Sequence, residues 1–169
     1  LFHFVKLDFN GLTALTEKKA RGYFIETGGL VPLKQNRVYS PERLKNGVAN
    51  LGQVLGRMGF QDEQVTVGKI EQDDATGTVS VRIDVVQGPK FIVRSVRGEV
   101  YFPDRSVPLD LSTNHAQQTY SKWWEQDFRH GLRTNYYRLG YPETSATIEI
   151  ERREPGGTNL FLDLLAIVR

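Results

Sequence analysis

Leu55-Gly56-Arg57-Met58-Gly59-Phe60 is answered 81 positions later by Tyr136-Tyr137-Arg138-Leu139-Gly140-Tyr141. Each hexapeptide closes a helix. Glycine takes left-handed backbone without the penalty other residues incur, so it stops an apolar-periodic stretch, and the aromatic after it opens the next segment. Upstream, Leu44, Val48, Leu51, Leu55 and Met58 recur at spacings of four and three, which places them on one helical face. Ser40-Pro41-Glu42 starts that helix with a capping hydroxyl, a proline whose missing N–H costs nothing there, and an acid favoured by the dipole. The second copy carries Phe128, Leu132, Tyr136 and Leu139, with Ser121 in register with Ser40.

The offset of 81 continues downstream, where Val79, Val81, Ile83 and Val85 correspond to Leu160, Leu162, Leu164 and Ala166. Near the start the offset is 87, and Phe4 to Gly11 lines up with Phe91 to Gly98. Between its first strand and its long helix the second copy is therefore six residues shorter, and the segment from Gly98 to Ser121 should be where the copies differ. Gly88-Pro89 punctuates the junction, dividing the chain into a first domain over 1–88 and a second over 89–169.

An earlier helix is expected from about Ala14 to Ile25, capped by Thr13 or Thr16 and ended by Gly28-Gly29. Its counterpart, Leu109 to Gln118, is short and polar, with room for one or two turns. Two strands follow each long helix: Gln64 to Glu71 then Thr78 to Val86, and Ser145 to Arg153 then Asn159 to Val168. Asp73 to Gly77 and Glu154 to Gly157 supply the turns. Ala146, Ile148 and Ile150 alternate with Thr147, Glu149 and Glu151, the pattern of a half-buried strand. Leu160 to Ile167 is nearly all apolar and suits the middle of a sheet. Small residues at Gly52 and Gly56 predict a close approach by the other helix.

The order strand, helix, helix, strand, strand, with its Gly-aromatic step and the link Val85-Val86-Gln87-Gly88-Pro89-Lys90-Phe91-Ile92-Val93, resembles polypeptide-transport-associated (POTRA) domains over nearly the whole chain, twice. In the family that link usually carries an acid where Gln87 stands. The resemblance implies an α+β fold of two consecutive β-α-α-β-β modules, each a three-stranded mixed sheet packed against two helices. It also implies a periplasmic part of a Gram-negative outer-membrane assembly or secretion factor of the surface antigen family. The implied partners are unfolded outer-membrane or secreted polypeptides, accessory subunits, and a membrane β-barrel following in the same parent chain.

Composition narrows the alternatives. The 169 residues hold 22 basic against 20 acidic side chains, which is weak support for nucleic acid. Without cysteine there is no disulfide, thiolate nucleophile or cysteine-ligated zinc. No apolar run approaches the roughly 18 residues of a membrane helix. The opening Leu1-Phe2-His3-Phe4 reads as the start of an excised fragment. His3, His115 and His130 share no metal-ligand spacing, and Ser40, Ser121 and Ser145 sit in no nucleophile motif, so neither an enzyme nor a metal site is expected. Gly47, Gly52, Gly56 and Gly59 lie in a helix and match no phosphate loop, so no cofactor is expected. A nucleic-acid-binding pair is the chemical rival, but no strand alternates aromatic and basic residues.

What remains is binding through backbone. An edge strand can accept an extended peptide by adding it to the sheet. The less apolar hairpin members are the candidates: Val65, Thr66, Val67, Lys69 and Ile70 in the first unit, and Ala146, Thr147, Ile148, Glu149 and Ile150 in the second. Ile70 is out of phase with Val65 and Val67, so Gly68 should form a bulge. Proline at Thr147 or Glu149 should spare the fold at whichever position has an outward N–H. The competing reading is a structural spacer holding other modules off the membrane.

Overall fold

The computed structural model describes residues 1–25, 37–110 and 115–169. They form two compact units, Leu1–Gly56 with Asp62–Gly88, and Arg57–Gln61 with Pro89–Arg169.

The first unit runs β1 (His3–Asn10), α1 (Glu17–Arg21), α2 (Pro41–Arg57), β2 (Gln64–Asp73) and β3 (Thr78–Val86). Its sheet has the order β1-β3-β2, with β1 parallel and β2 antiparallel to β3. The Ser40 hydroxyl accepts from Arg43 N at 3.1 Å, and Leu44, Leu51 and Leu55 of α2 are buried. Gly59 takes φ 100°, the left-handed stop its position demanded. α1 is shorter than expected, capped by Thr16 and followed by Gly22; Gly28-Gly29 lie outside the described residues. The close approach expected at Gly52 occurs instead at Gly47, where a Cβ would strike the Phe24 ring; at Gly52 it would meet only Glu63, at 3.7 Å.

The second unit runs β4 (Lys90–Tyr101), β5 (Ser106–Asp110), α3 (Lys122–Arg138), β6 (Ala146–Gly156) and β7 (Asn159–Val168), in sheet order β5-β4-β7-β6. The strand β5 makes this sheet four-stranded rather than three-stranded. Phe102-Pro103-Asp104-Arg105 is a turn in which Phe102 N donates to the Arg105 carbonyl, and proline followed by aspartate suits it. β4 runs on past Gly98, so the returning chain has an edge to pair with. Of the short helix expected over Leu109 to Gln118, Leu109 and Asp110 end β5 and residues 111–114 lie outside the described residues.

Both units build the entry to the long helix alike. Tyr39 N donates to the Phe2 carbonyl and Tyr120 N to that of Phe91. The ring of Tyr39 meets Phe4 at 5.3 Å and that of Tyr120 meets Phe91 at 6.3 Å. In each case the next residue is the capping serine, Ser40 or Ser121. In the second unit Leu132 of α3, with Trp124, Phe128 and Tyr136 beside it, packs on Val93, Val96, Leu162 and Leu164.

One extra residue interrupts the register in each of β1, β2, β4 and β6. These bulges let apolar residues three apart share one face: Phe4 with Leu7, Val67 with Ile70, and Val93 with Val96. Ile70 therefore sits opposite buried Val81, on the same face as Val67 opposite Ile83.

Candidate functional site

The topology makes β1 and β2 the edges of the first sheet, and β5 and β6 those of the second. Every sequence-selected residue, Val65 to Ile70 and Ala146 to Ile150, thus lies on an edge strand. Part of β1 is shielded, because His3 bridges Val38. β5 is interrupted: reciprocal bonds between Phe102 and Arg105 fix the alternation of its ladder, which leaves Pro108 at an outward position with no N–H to offer.

The hydrogen-bond phase of β6 follows from its end. Ser145 and Arg169 exchange both backbone bonds, at 2.7 and 3.0 Å, so theirs is a hydrogen-bonded pair. Antiparallel ladders alternate, so Thr147 opposite Ile167 and Glu149 opposite Leu165 also point their N–H and C=O at β7. The outward backbone groups belong to Ala146, Ile148 and Ile150. Thr147 and Glu149, whose side chains face water, are the wrong positions for a tolerated proline. The stretch stops at the Ile150/Arg152 irregularity, and farther on Pro155 lacks a donor. Among the described residues nothing pairs with this edge, which leaves five residues, about 17 Å at 3.4 Å each.

In β2 the selected residues flank the register shift between Val67 and Lys69, which places the expected bulge at Gly68. A side chain there would strike the Asp84 carboxylate, which would have to move aside. Val67 and Ile70 are 39% and 41% exposed beside this edge. By contrast, Ala146 is buried and Ile148 and Ile150 are half-buried, packed on the core beneath α3. A groove of about 730 Å³ opens at the start of β6, where Arg129, His130 and Arg133 of α3 meet Thr144, Ser145 and Ala146, and Asp127 and Glu143 also line it. A strand added here would therefore meet polar groups on its helix side.

The other face of the second sheet carries a charge network that sequence reasoning missed. Arg94 grips both Asp163 of β7 and Glu154 of β6, and the Ser95 hydroxyl donates to Asp163 at 2.6 Å. The bulge in β4 turns Arg94 and Ser95 toward the same carboxylate. Arg97, in register with Leu165, reaches over β7 to Glu151, with Nε at 2.8 Å. These straps cover Leu165, which is 8% exposed, and explain how β7 can be apolar on both faces with no second layer among the described residues. The Arg94 guanidinium, helped by Ser95, holds the Asp163 carboxyl down at about 2; Arg94 also holds Glu154 below its ordinary value. The lone aspartate in an otherwise apolar strand was the available sequence signal.

A family model described as POTRA, surface antigen variable number repeat, matches residues 2–88. Among solved structures the chain is similar to Haemophilus influenzae BamA POTRA3-5, with TM-score 0.57 and 15% identity over 99% of this chain and 66% of that one. It is also similar to BamA from Haemophilus ducreyi lacking POTRA domains 1-3, with TM-score 0.53 and 14% identity over 99% of this chain and 29% of that one. The likeness is one of fold, and the chain spans just under two thirds of the first structure's length and under a third of the second's.

Proposed function

Since this chain belongs to the POTRA family, we propose that it serves in the periplasm as a pair of polypeptide-docking modules of an outer-membrane β-barrel assembly or secretion factor. On this reading the modules bind and do not catalyse. Unfolded outer-membrane or secreted polypeptides are held by strand addition at the edges, and accessory subunits and a membrane barrel of the same parent chain are further partners. The observation that carries the proposal is the open backbone of Ala146, Ile148 and Ile150, with Val65 to Ile70 as the equivalent edge of the first unit.

Three outward residues offer up to six backbone bonds, each contributing roughly 0.5–1.5 kcal/mol net. Ordering the peptide costs roughly 1–2 kcal/mol per residue. One site is therefore weak, and repeated modules gain through effective concentration.

The test is a pair of substitutions read by binding of an extended peptide from an unfolded outer-membrane strand. Ile148→Pro removes the central outward donor, and Ile148→Ala removes the same side-chain bulk while keeping it. Binding retained by Ile148→Ala and lost by Ile148→Pro, with both folded, supports the docking edge. Equal binding in both removes β6 and leaves β2. No amide response to peptide along either edge would favour the spacer.

A further inference from the structure

Charges on the outer face of the second sheet hold one another, and the open stretch of β6 carries an exception. Arg94 holds Asp163 and Glu154, Arg97 holds Glu151 and Glu99, and Arg152 lies 3.3 Å from Glu154. Glu149 is exposed, and among the described residues its carboxylate has neither a hydrogen bond nor an ion pair. The register shows why. Arg97, Leu165 and Glu149 stand in one row across β4, β7 and β6, yet the Arg97 guanidinium directs its donors to Glu151 and Glu99. The row therefore ends on an unmatched acid, with the free side of β6 beside it.

Hydrogen-bond phase sharpens this. The Glu149 backbone points at β7, so toward an antiparallel strand added on the other side it occupies a non-hydrogen-bonded position. Opposed Cα atoms approach to about 4.5 Å there instead of about 5.5 Å, and the side chains meet most closely. The helix side adds no competing preference, because Arg129 and Arg133 are balanced by Asp127 and Glu143 around the groove. The first unit lacks the feature. Thr66 stands at the equivalent place, two residues before the bulge of β2 as Glu149 is before that of β6. The charges near Thr66 are paired, Lys69 with Glu71 and Arg82 with Asp84.

The geometry points to selection by charge: β6 takes extended segments that place a lysine or arginine opposite Glu149 on the outer face, whereas β2 takes segments without regard to charge at the equivalent place. This rests on strand addition at β6 and names which segments are added. Glu149 is then a specificity-determining residue, and the two units sort different segments of one polypeptide. The formal charge of +2 on the whole chain would favour acidic segments, so a preference for basic ones is local to this row.

The experiment titrates the 169-residue chain with short peptides of alternating valine and threonine whose central threonine is replaced by lysine, glutamine or glutamate, and follows backbone amides by nuclear magnetic resonance. At Ala146, Ile148 and Ile150 the lysine peptide should bind about two- to fivefold more tightly than the glutamine one, and the glutamate peptide more weakly than either by a similar factor. Added salt should narrow the spread. Glu149→Gln should erase the order and Glu149→Lys should reverse it, with the melting of both variants unchanged because the carboxylate is exposed. At Val65, Val67 and Ile70 the peptides should bind alike. Equal binding of all the peptides at β6, an order kept by Glu149→Gln, or the same order at β2 would overturn the selection and leave strand addition standing. No response of β6 to any peptide would overturn both.

Discussion

Asp163→Asn tests the charge network that covers the second sheet. Asparagine keeps the size of the side chain and can still accept from Ser95, but it presents no charge to Arg94. The Asp163 carboxyl sits at about 2 instead of 3.8, a difference worth about 2 kcal/mol at 1.36 kcal/mol per unit. Arg94 and Asp163 retain 32% and 19% of their side-chain exposure, so solvent screening trims the expected loss at neutral pH to about 1–2 kcal/mol. For a unit of this size each kcal/mol moves the midpoint by about 4–8 °C. A carboxyl depressed in the folded state stabilises above its unfolded value, and that contribution disappears as pH falls toward the folded one. The gap in Tm between parent and variant should therefore be full at pH 7, shrink below about pH 4 and nearly close by about pH 2. Glu154 and Glu99, also held below their ordinary values by Arg94 and by Tyr101 with Arg97 respectively, titrate in both proteins and largely cancel in the difference. A gap that stays constant as the solution is acidified, or no gap at pH 7, would refute the assignment of this stability to the charged pair.

Leu51→Ala and Leu132→Ala, at 0% and 6% exposure, should each cost roughly 2–5 kcal/mol in denaturant titrations. Leu132 should fall at the lower end because its neighbours on α3 are only half-buried and can relax. Gly68→Ala must displace the Asp84 carboxylate and should cost more than Gly140→Ala, where φ is 93° but the space is open and only backbone strain of about 1–2 kcal/mol applies; equal losses would mean that Gly68 is not closely approached. Thr147→Pro and Glu149→Pro each remove an N–H directed at β7 and should both destabilise by about 1–3 kcal/mol. An unchanged melt for either would overturn the hydrogen-bond phase assigned to β6.

The two long helices were the most legible part of the sequence because their punctuation is local. Ser40-Pro41, the stripe through Leu44, Leu51 and Leu55, and Gly59 together bound α2. The bulge at Gly68 was visible because it put Ile70 out of step; the equivalent spacing of Phe4 with Leu7 and of Val93 with Val96 carried the same message without a glycine to announce it. β5 was hidden behind the short helix expected over Leu109 to Gln118; Pro103 makes a turn and Pro108 occupies the outward side of an edge. The edge positions of β2 and β6 follow from their weaker apolar pattern. Which of their backbone groups face outward does not, since side-chain alternation is indifferent to hydrogen-bond phase, and only the Ser145–Arg169 pair resolves it. Arg94 and Asp163 are 69 residues apart, beyond the reach of any local pattern.

In each unit the first and last strands are parallel neighbours, β1 with β3 and β4 with β7, joined at seven and ten register positions. Tension along the polypeptide would pull the start of β1 and the end of β3 in opposite directions along their shared ladder, and likewise β4 and β7. The load falls on all the rungs together in shear and does not peel them one at a time. Modules wired this way can pass force down a chain without coming apart at the point of attachment, and their unfolding rate under a steady pull would be limited by simultaneous loss of a whole ladder.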